Sequence, residues 1–192
     1  LPAPDKTKTW KDKFIHVDVL KVIYPLSFVG IARGMVLVAG SLYLIDNGAH
    51  PAIILAGLIL GFFGKTLFGI LSEKKGDRLG NSICLLLLAL GFTGLIATPH
   101  LENYTTIGYW ISSMLIGVGS GGVFVGYVNI ALETADKNKQ TEALSNHMLT
   151  FRLGIIGGQW LAGSMLSYIQ AWYACIGFCL LSLMIILLQR KK

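Results

Sequence analysis

GILSEKKGDR, running from Gly69 to Arg78, is the stretch whose reading decides the fold. An apolar run containing Leu55, Leu58, Phe62, Phe63 and Phe68 precedes it, and another from Ile83 to Ile96 follows. A knot of charges around Gly76, set between runs long enough to cross a bilayer, reads as a tight surface link between two membrane helices. The composition agrees. With 54% hydrophobic residues against 14% charged, and a mean hydropathy of +0.65, the chain falls outside the range of soluble domains and in the class of polytopic membrane proteins.

Working outward, the pattern of apolar run and polar link recurs. Six spans are expected at about 22 to 45, 51 to 72, 80 to 98, 107 to 130, 143 to 167 and 171 to 188, each near the ~20 residues that carry a helix across ~30 Å of hydrocarbon. The runs lack the period-two alternation of a membrane barrel. Residues 1–21 form a leader in which Trp10, Phe14 and Val17 recur at helical spacing with Lys11 and Lys13 between them. That pattern fits either a short helix lying in the membrane interface or a solvated linker.

The links divide by charge. One side receives the lysines of the leader, then Lys74, Lys75 and Arg78, then Lys137 and Lys139, then Arg190, Lys191 and Lys192; the other side receives IDNGAHP, PHLENYT and SYIQA, which have neither lysine nor arginine. By the positive-inside rule both termini are cytoplasmic, which in a bacterium means the inner membrane. The net charge of +6 is thereby a topology signal and requires no nucleic-acid partner. Cys84, Cys175 and Cys179 sit inside apolar runs without metal-ligand spacing, and His16, His50, His100 and His147 are scattered. No catalytic motif and no cofactor site is expected.

Glycines indicate how the spans pack, because small residues let membrane helices approach closely. Gly57, Gly61, Lys65, Gly69 and Glu73 recur every four residues in the second span; Gly117, Gly119, Gly121, Gly122 and Gly126 crowd the fourth; Gly154, Gly157, Gly158 and Gly163 lie in the fifth. Tight static packing is the simpler reading, and sliding of helices on one another the alternative.

The Gly69 to Arg78 loop resembles the signature loop of the major facilitator superfamily, G-x-L-a-D-r-x-G-r-k, which joins the second and third helices of each six-helix half. Gly69, Leu71, Glu73 in place of the family's aspartate, Lys74, Gly76 and Arg78 carry the likeness, while Asp77 departs from it. ALETADKNKQTEAL is similar to the family's loop between the fourth and fifth helices, with Glu133 in place but Gln140 and Thr141 where Arg-Gly would stand. The resemblance implies a cytoplasmic gate in which Glu133 pairs with Lys74 or Arg78. It also implies a six-helix half of a transporter that works by alternating access, completed by a second half that is part of the same product, a separate chain or a second copy. The leader, the absence of an initial methionine and the basic tail favour the C-terminal half. The fourth span lacks the family's arginine and the fifth its Gly-Pro, which leaves the coupling ion open.

Three cations lie within spans: Arg33 about eleven residues into the first, Lys65 in the second and Arg152 in the fifth. A basic group at mid-membrane costs at least ~2.5 kcal/mol and tends to face a cavity or a partner. No carboxylate of this chain lies at that depth, so an anionic substrate or the second half supplies the balance; Lys65 can alternatively snorkel and Arg152 join the cytoplasmic network. Arg33 and Lys65 are similar in placement to basic residues of the organic phosphate and organic anion branch, which implies a small anionic solute. Tyr127, Asn129 and Gln159 are polar residues that either orient such a ligand or make hydrogen bonds between helices. The expected protein is thus an all-α bundle in a lipid bilayer, one half of a secondary transporter. The competing classes are a six-helix channel and a membrane assembly subunit.

Overall fold

The computed structural model describes residues 17–165 and 167–188, all helical apart from short links. The leader residues Trp10, Lys11, Lys13 and Phe14, and the tail Arg190 to Lys192, lie outside the described residues. The chain runs through α1 (Val17–Ile23), α2 (Pro25–Met35), a π-helical segment (Val36–Gly40) and α3 (Ser41–Asp46), then α4 (Ala52–Ile59), α5 (Gly61–Lys75) and α6 (Asp77–Ala97). It continues through α7 (Thr105–Thr134), α8 (Gln140–Ser164) and α9 (Tyr168–Leu188).

Among the described residues, five helical stretches are long and apolar enough to cross a membrane: Pro25–Asp46, Ala52–Lys75, Asp77–His100, Glu102–Thr134 and Tyr168–Leu188. The expected fifth span, α8, is long enough at 25 residues but carries Glu142, Asn146, His147, Arg152 and Gln159, which lower its apolar character. It packs in the bundle with the others, chiefly on α2 and also on α7. The helices extend beyond the apolar runs by a turn or less at most ends, because a helix crossing the headgroup region needs no apolar residues there. α7 reaches 30 residues.

α7 is the central post, packed against α4, α5, α6 and α8, while α9 rests on α2 and α6. Glycine makes the closest approaches. A Cβ on Gly61 would come within 2.8 Å of the Gly117 carbonyl, and one on Gly117 would collide with the carbonyl of Gly57. Between α2 and α8, a Cβ on Gly30 would lie 2.6 Å from the Phe151 carbonyl, and Gly34, Gly154 and Gly158 are equally closed. Static backbone contact therefore accounts for most of the glycines in these two seams.

The four-residue stripe of the second span holds only in part. Gly57 and Gly61 meet α7, but Gly69 has open space and Lys65 and Glu73 are exposed; Gly64 and Phe68 take the packed positions instead. Two causes act together. A helix turns every 3.6 residues, so a strict spacing of four winds off the contact face, and the span is interrupted at Leu60 between α4 and α5.

The two ends of the bundle are chemically distinct. At one, the Tyr43 hydroxyl donates to the Leu95 carbonyl at 2.8 Å, and its ring meets Tyr109, Tyr168 and Trp172 edge-on at 5.5 to 6.0 Å. This gathers the ends of the first and third spans with the starts of the fourth and sixth. At the other end Arg78 donates to the Leu187 carbonyl, and the Asn129 amide faces the Asp77 carboxylate. The lysine-bearing links thus collect at one end and the links without lysine or arginine at the other.

Candidate functional site

Arg33 lies about eight residues past Pro25, roughly 12 Å along α2 at ~1.5 Å per residue, and one turn before the π-helical segment. Such segments widen a helix locally and often accompany functional sites. The guanidinium is half-buried. Nη1 donates to Ser120 Oγ of α7 at 3.4 Å, and Ser120 in turn donates to the Gly117 carbonyl, so its free lone pairs face Arg33. The guanidinium carbon stands 6.0 Å from the ring centre of Phe151 in α8.

Lys65 approaches the same place from α5. Its side chain is exposed, and Nζ stands 6.0 Å from the ring centre of Phe124. Phe124 and Phe151 pack edge-to-face with centroids 5.0 Å apart, so both cations rest on one aromatic pair. Among the described residues no carboxylate lies within ion-pair distance of Arg33, Lys65 or Arg152. Ring faces carry negative potential and hold a cation at this distance with about 0.5 to 2 kcal/mol, which supports the charges without neutralising them. The arrangement can receive an anion.

The remaining candidates divide. Arg152 and Gln159 are exposed on α8, Arg152 next in sequence to Phe151. Tyr127 is fully buried, its hydroxyl 3.4 Å from Ser182 Oγ, which donates to the Pro25 carbonyl at 3.2 Å. It ties α7 to α9 and α2, the interhelical alternative left open by the sequence. Asn129 points to Asp77, at the charged end of the bundle. The cations and these amides therefore do not form one continuous constellation.

In the loop from Gly69 to Arg78, Gly76 has φ +84°, a conformation L side chains rarely adopt, and its N–H bonds the Ser72 carbonyl at 2.8 Å. Glycine is required there because it ends α5 and starts α6 in one residue. Glu73, Lys74 and Glu133 are exposed, and among the described residues no ion pair joins Glu133 to Lys74 or Arg78. Arg78 is instead engaged with the end of α9.

Three residues of the site carried no signal of their own in the sequence. Phe124 and Phe151 look like any other apolar residues of a span, and Ser120 is one small residue in a glycine-rich helix. Only the spatial meeting of α2, α5, α7 and α8 marks them.

A family model for the Major Facilitator Superfamily matches residues 20–192. The chain belongs to the major facilitator superfamily. No curated protein matches it. Membership makes this an integral, multi-pass membrane transport protein that moves a small solute through a helical bundle, and its helices are consistent with one half of the superfamily's fold. It also favours transport over the channel and assembly-subunit classes and is consistent with a function that is not catalytic.

Proposed function

We propose that the chain is one six-helix half of a secondary transporter that carries a small organic anion across the membrane by alternating access. Both termini lie in the cytoplasm, and in a bacterium the membrane is the inner one. Arg33 grips a carboxylate or phosphate of the solute with two parallel hydrogen bonds, the geometry its planar fork provides. Lys65 adds a second positive charge from α5. Arg152 and Gln159, exposed on α8, face the solute from that helix, while Tyr127 holds α7 to α9 and α2 and Asn129 belongs to the charged end of the bundle. Glu133 and Lys74 meet across the cytoplasmic end when that side is closed.

One observation supports the anion reading above all: Arg33 and Lys65 converge on the Phe124–Phe151 pair with no carboxylate nearby among the described residues. A second half covers the mixed face of α5 and α8, where Phe62, Phe63, Leu153 and Trp160 are exposed together with Lys65, Arg152 and Gln159. Lipid solvates the apolar members of that face but not the polar ones. A bundle rocking against a second one about the midplane fits both demands.

The reading is tested with the complete transporter in proteoliposomes, by comparing uptake of succinate, benzoate and glycerol 3-phosphate with uptake of glucose and of choline. Saturable uptake is expected for at least one anion. Saturable uptake confined to the neutral or cationic solute contradicts it.

A further inference from the structure

His147 is a polar side chain that the proposed site does not use, and it lies directly behind it. It sits in α8 one turn before Phe151, is 0% exposed, and has its ring 4.7 Å from that of Phe124, edge-on at 70°. Nε2 lies 3.1 Å from the main-chain carbonyl of Phe124, whereas Nδ1 is buried without a partner among the described residues. A carbonyl only accepts hydrogen bonds, so Nε2 carries the proton and Nδ1 is a bare lone pair. A buried donor that reaches across to the next helix is costly to lose, because the ring would be left wholly unsatisfied.

The contact has a direction. Phe124 is held on one side by His147, through its carbonyl and its ring edge, and on another by Phe151 at 5.0 Å. Its remaining face receives Lys65. The orientation of the Phe124 ring fixes where Lys65 rests, and Phe151, seated against Phe124, does the same for Arg33. We propose that His147 is a positioning residue for the anion site, locking the aromatic pair on which Lys65 and Arg33 rest. It touches neither cation and no solute. This role rests on the anion reading above, and its test separates the two.

Two substitutions divide the functions of the imidazole. His147→Gln keeps an N–H at a similar reach but loses the ring; His147→Phe keeps a ring of similar size but loses the donor. Binding of succinate, benzoate or glycerol 3-phosphate to the complete transporter is measured with the one of the three that binds wild type most tightly. His147→Phe is expected to weaken affinity about three- to tenfold, on the scale of one lost hydrogen bond. His147→Gln is expected to restore most of it, with thermal unfolding of His147→Gln close to wild type and that of His147→Phe lowered by the lost interhelical hydrogen bond. The deciding comparison is a double-mutant cycle with Lys65→Gln: because His147 acts in part through Phe124 on Lys65, His147→Phe is expected to cost measurably less once Lys65 is gone, the remainder being carried through Phe151 to Arg33. Equal costs in both backgrounds, or a His147→Gln as poor as His147→Phe, overturn the positioning role. If Arg33→Ala and Lys65→Gln themselves leave anion binding unchanged, or none of the three anions binds, the anion site is lost and this role falls with it.

Discussion

The guanidinium of Arg78 donates to the main-chain carbonyl of Leu187, fastening the link between the second and third spans to the last turn of the sixth. The hydrogen bond is charge-assisted, since a guanidinium donates it to the carbonyl. Arg78→Gln is therefore expected to lower stability by about 1.5 to 3 kcal/mol, the range for a hydrogen bond to a charged group. Thermal unfolding in detergent measures it, and an unchanged midpoint would deny the tie.

With Arg78 so engaged, Lys74 is the better partner for Glu133 in a closed state. Glu133→Lys should abolish uptake, and Lys74→Glu introduced beside it should return part of the activity. If the double variant transports no better than Glu133→Lys alone, the two do not pair directly.

Asp77 and Asn129 illustrate what a sequence withholds. Asp77 interrupts a family pattern of basic residues, and Asn129, a polar residue within a span, suits either a ligand or an interhelical hydrogen bond. The two side chains face each other, a carboxylate at the start of α6 and an amide one helix away. The spans were legible because ~20 apolar residues in a row have few other uses, and the link at Gly76 because positive φ selects glycine. The fifth span was legible only as a helix in series with the others. The aromatic pair beneath Arg33 was hidden, since Phe124 and Phe151 become special only when α7 and α8 meet. The four-residue spacing puts Lys65 on a glycine stripe that the 3.6-residue turn and the break at Leu60 disperse.

The glycine seams yield a stability contrast. Gly117→Ala puts a methyl into the Gly57 carbonyl and is expected to cost about 1 to 3 kcal/mol, as overpacking does. Gly157 has nothing within 4 Å of its added Cβ, so Gly157→Ala is expected to be neutral or stabilising by up to ~1 kcal/mol through helix propensity. Unfolding midpoints in detergent compare them. Equal losses would mean that the close approach of α4 and α7 has been misplaced.

Topology is tested by labelling. Asn47, Asn103 and Asn138 are all exposed, the first two at the end of the bundle without lysine or arginine links and the third between α7 and α8. In a background without Cys84, Cys175 and Cys179, single cysteines at Asn47 and Asn103 should react with an impermeant thiol reagent from outside intact cells, and one at Asn138 should not. The reverse pattern would invert the protein in the membrane.

The central claim is that Arg33 holds the anionic group of the solute. Its most direct measurement is the affinity of the complete transporter for succinate, benzoate and glycerol 3-phosphate, with glucose and choline as controls, in wild type, Arg33→Lys and Arg33→Ala. Lysine keeps the charge but loses the two-pronged geometry, and a charged hydrogen bond is worth about 1.5 to 3 kcal/mol. Arg33→Lys should therefore weaken binding of the preferred anion on the order of ten- to a hundredfold, and Arg33→Ala should weaken it further. Without ligand, Arg33→Ala should unfold no earlier than wild type, because it removes a cation that no carboxylate among the described residues compensates. If glucose or choline is the bound solute and Arg33→Ala leaves its affinity unchanged, the account is contradicted, and Arg33 is a structural residue paired to a carboxylate outside this chain.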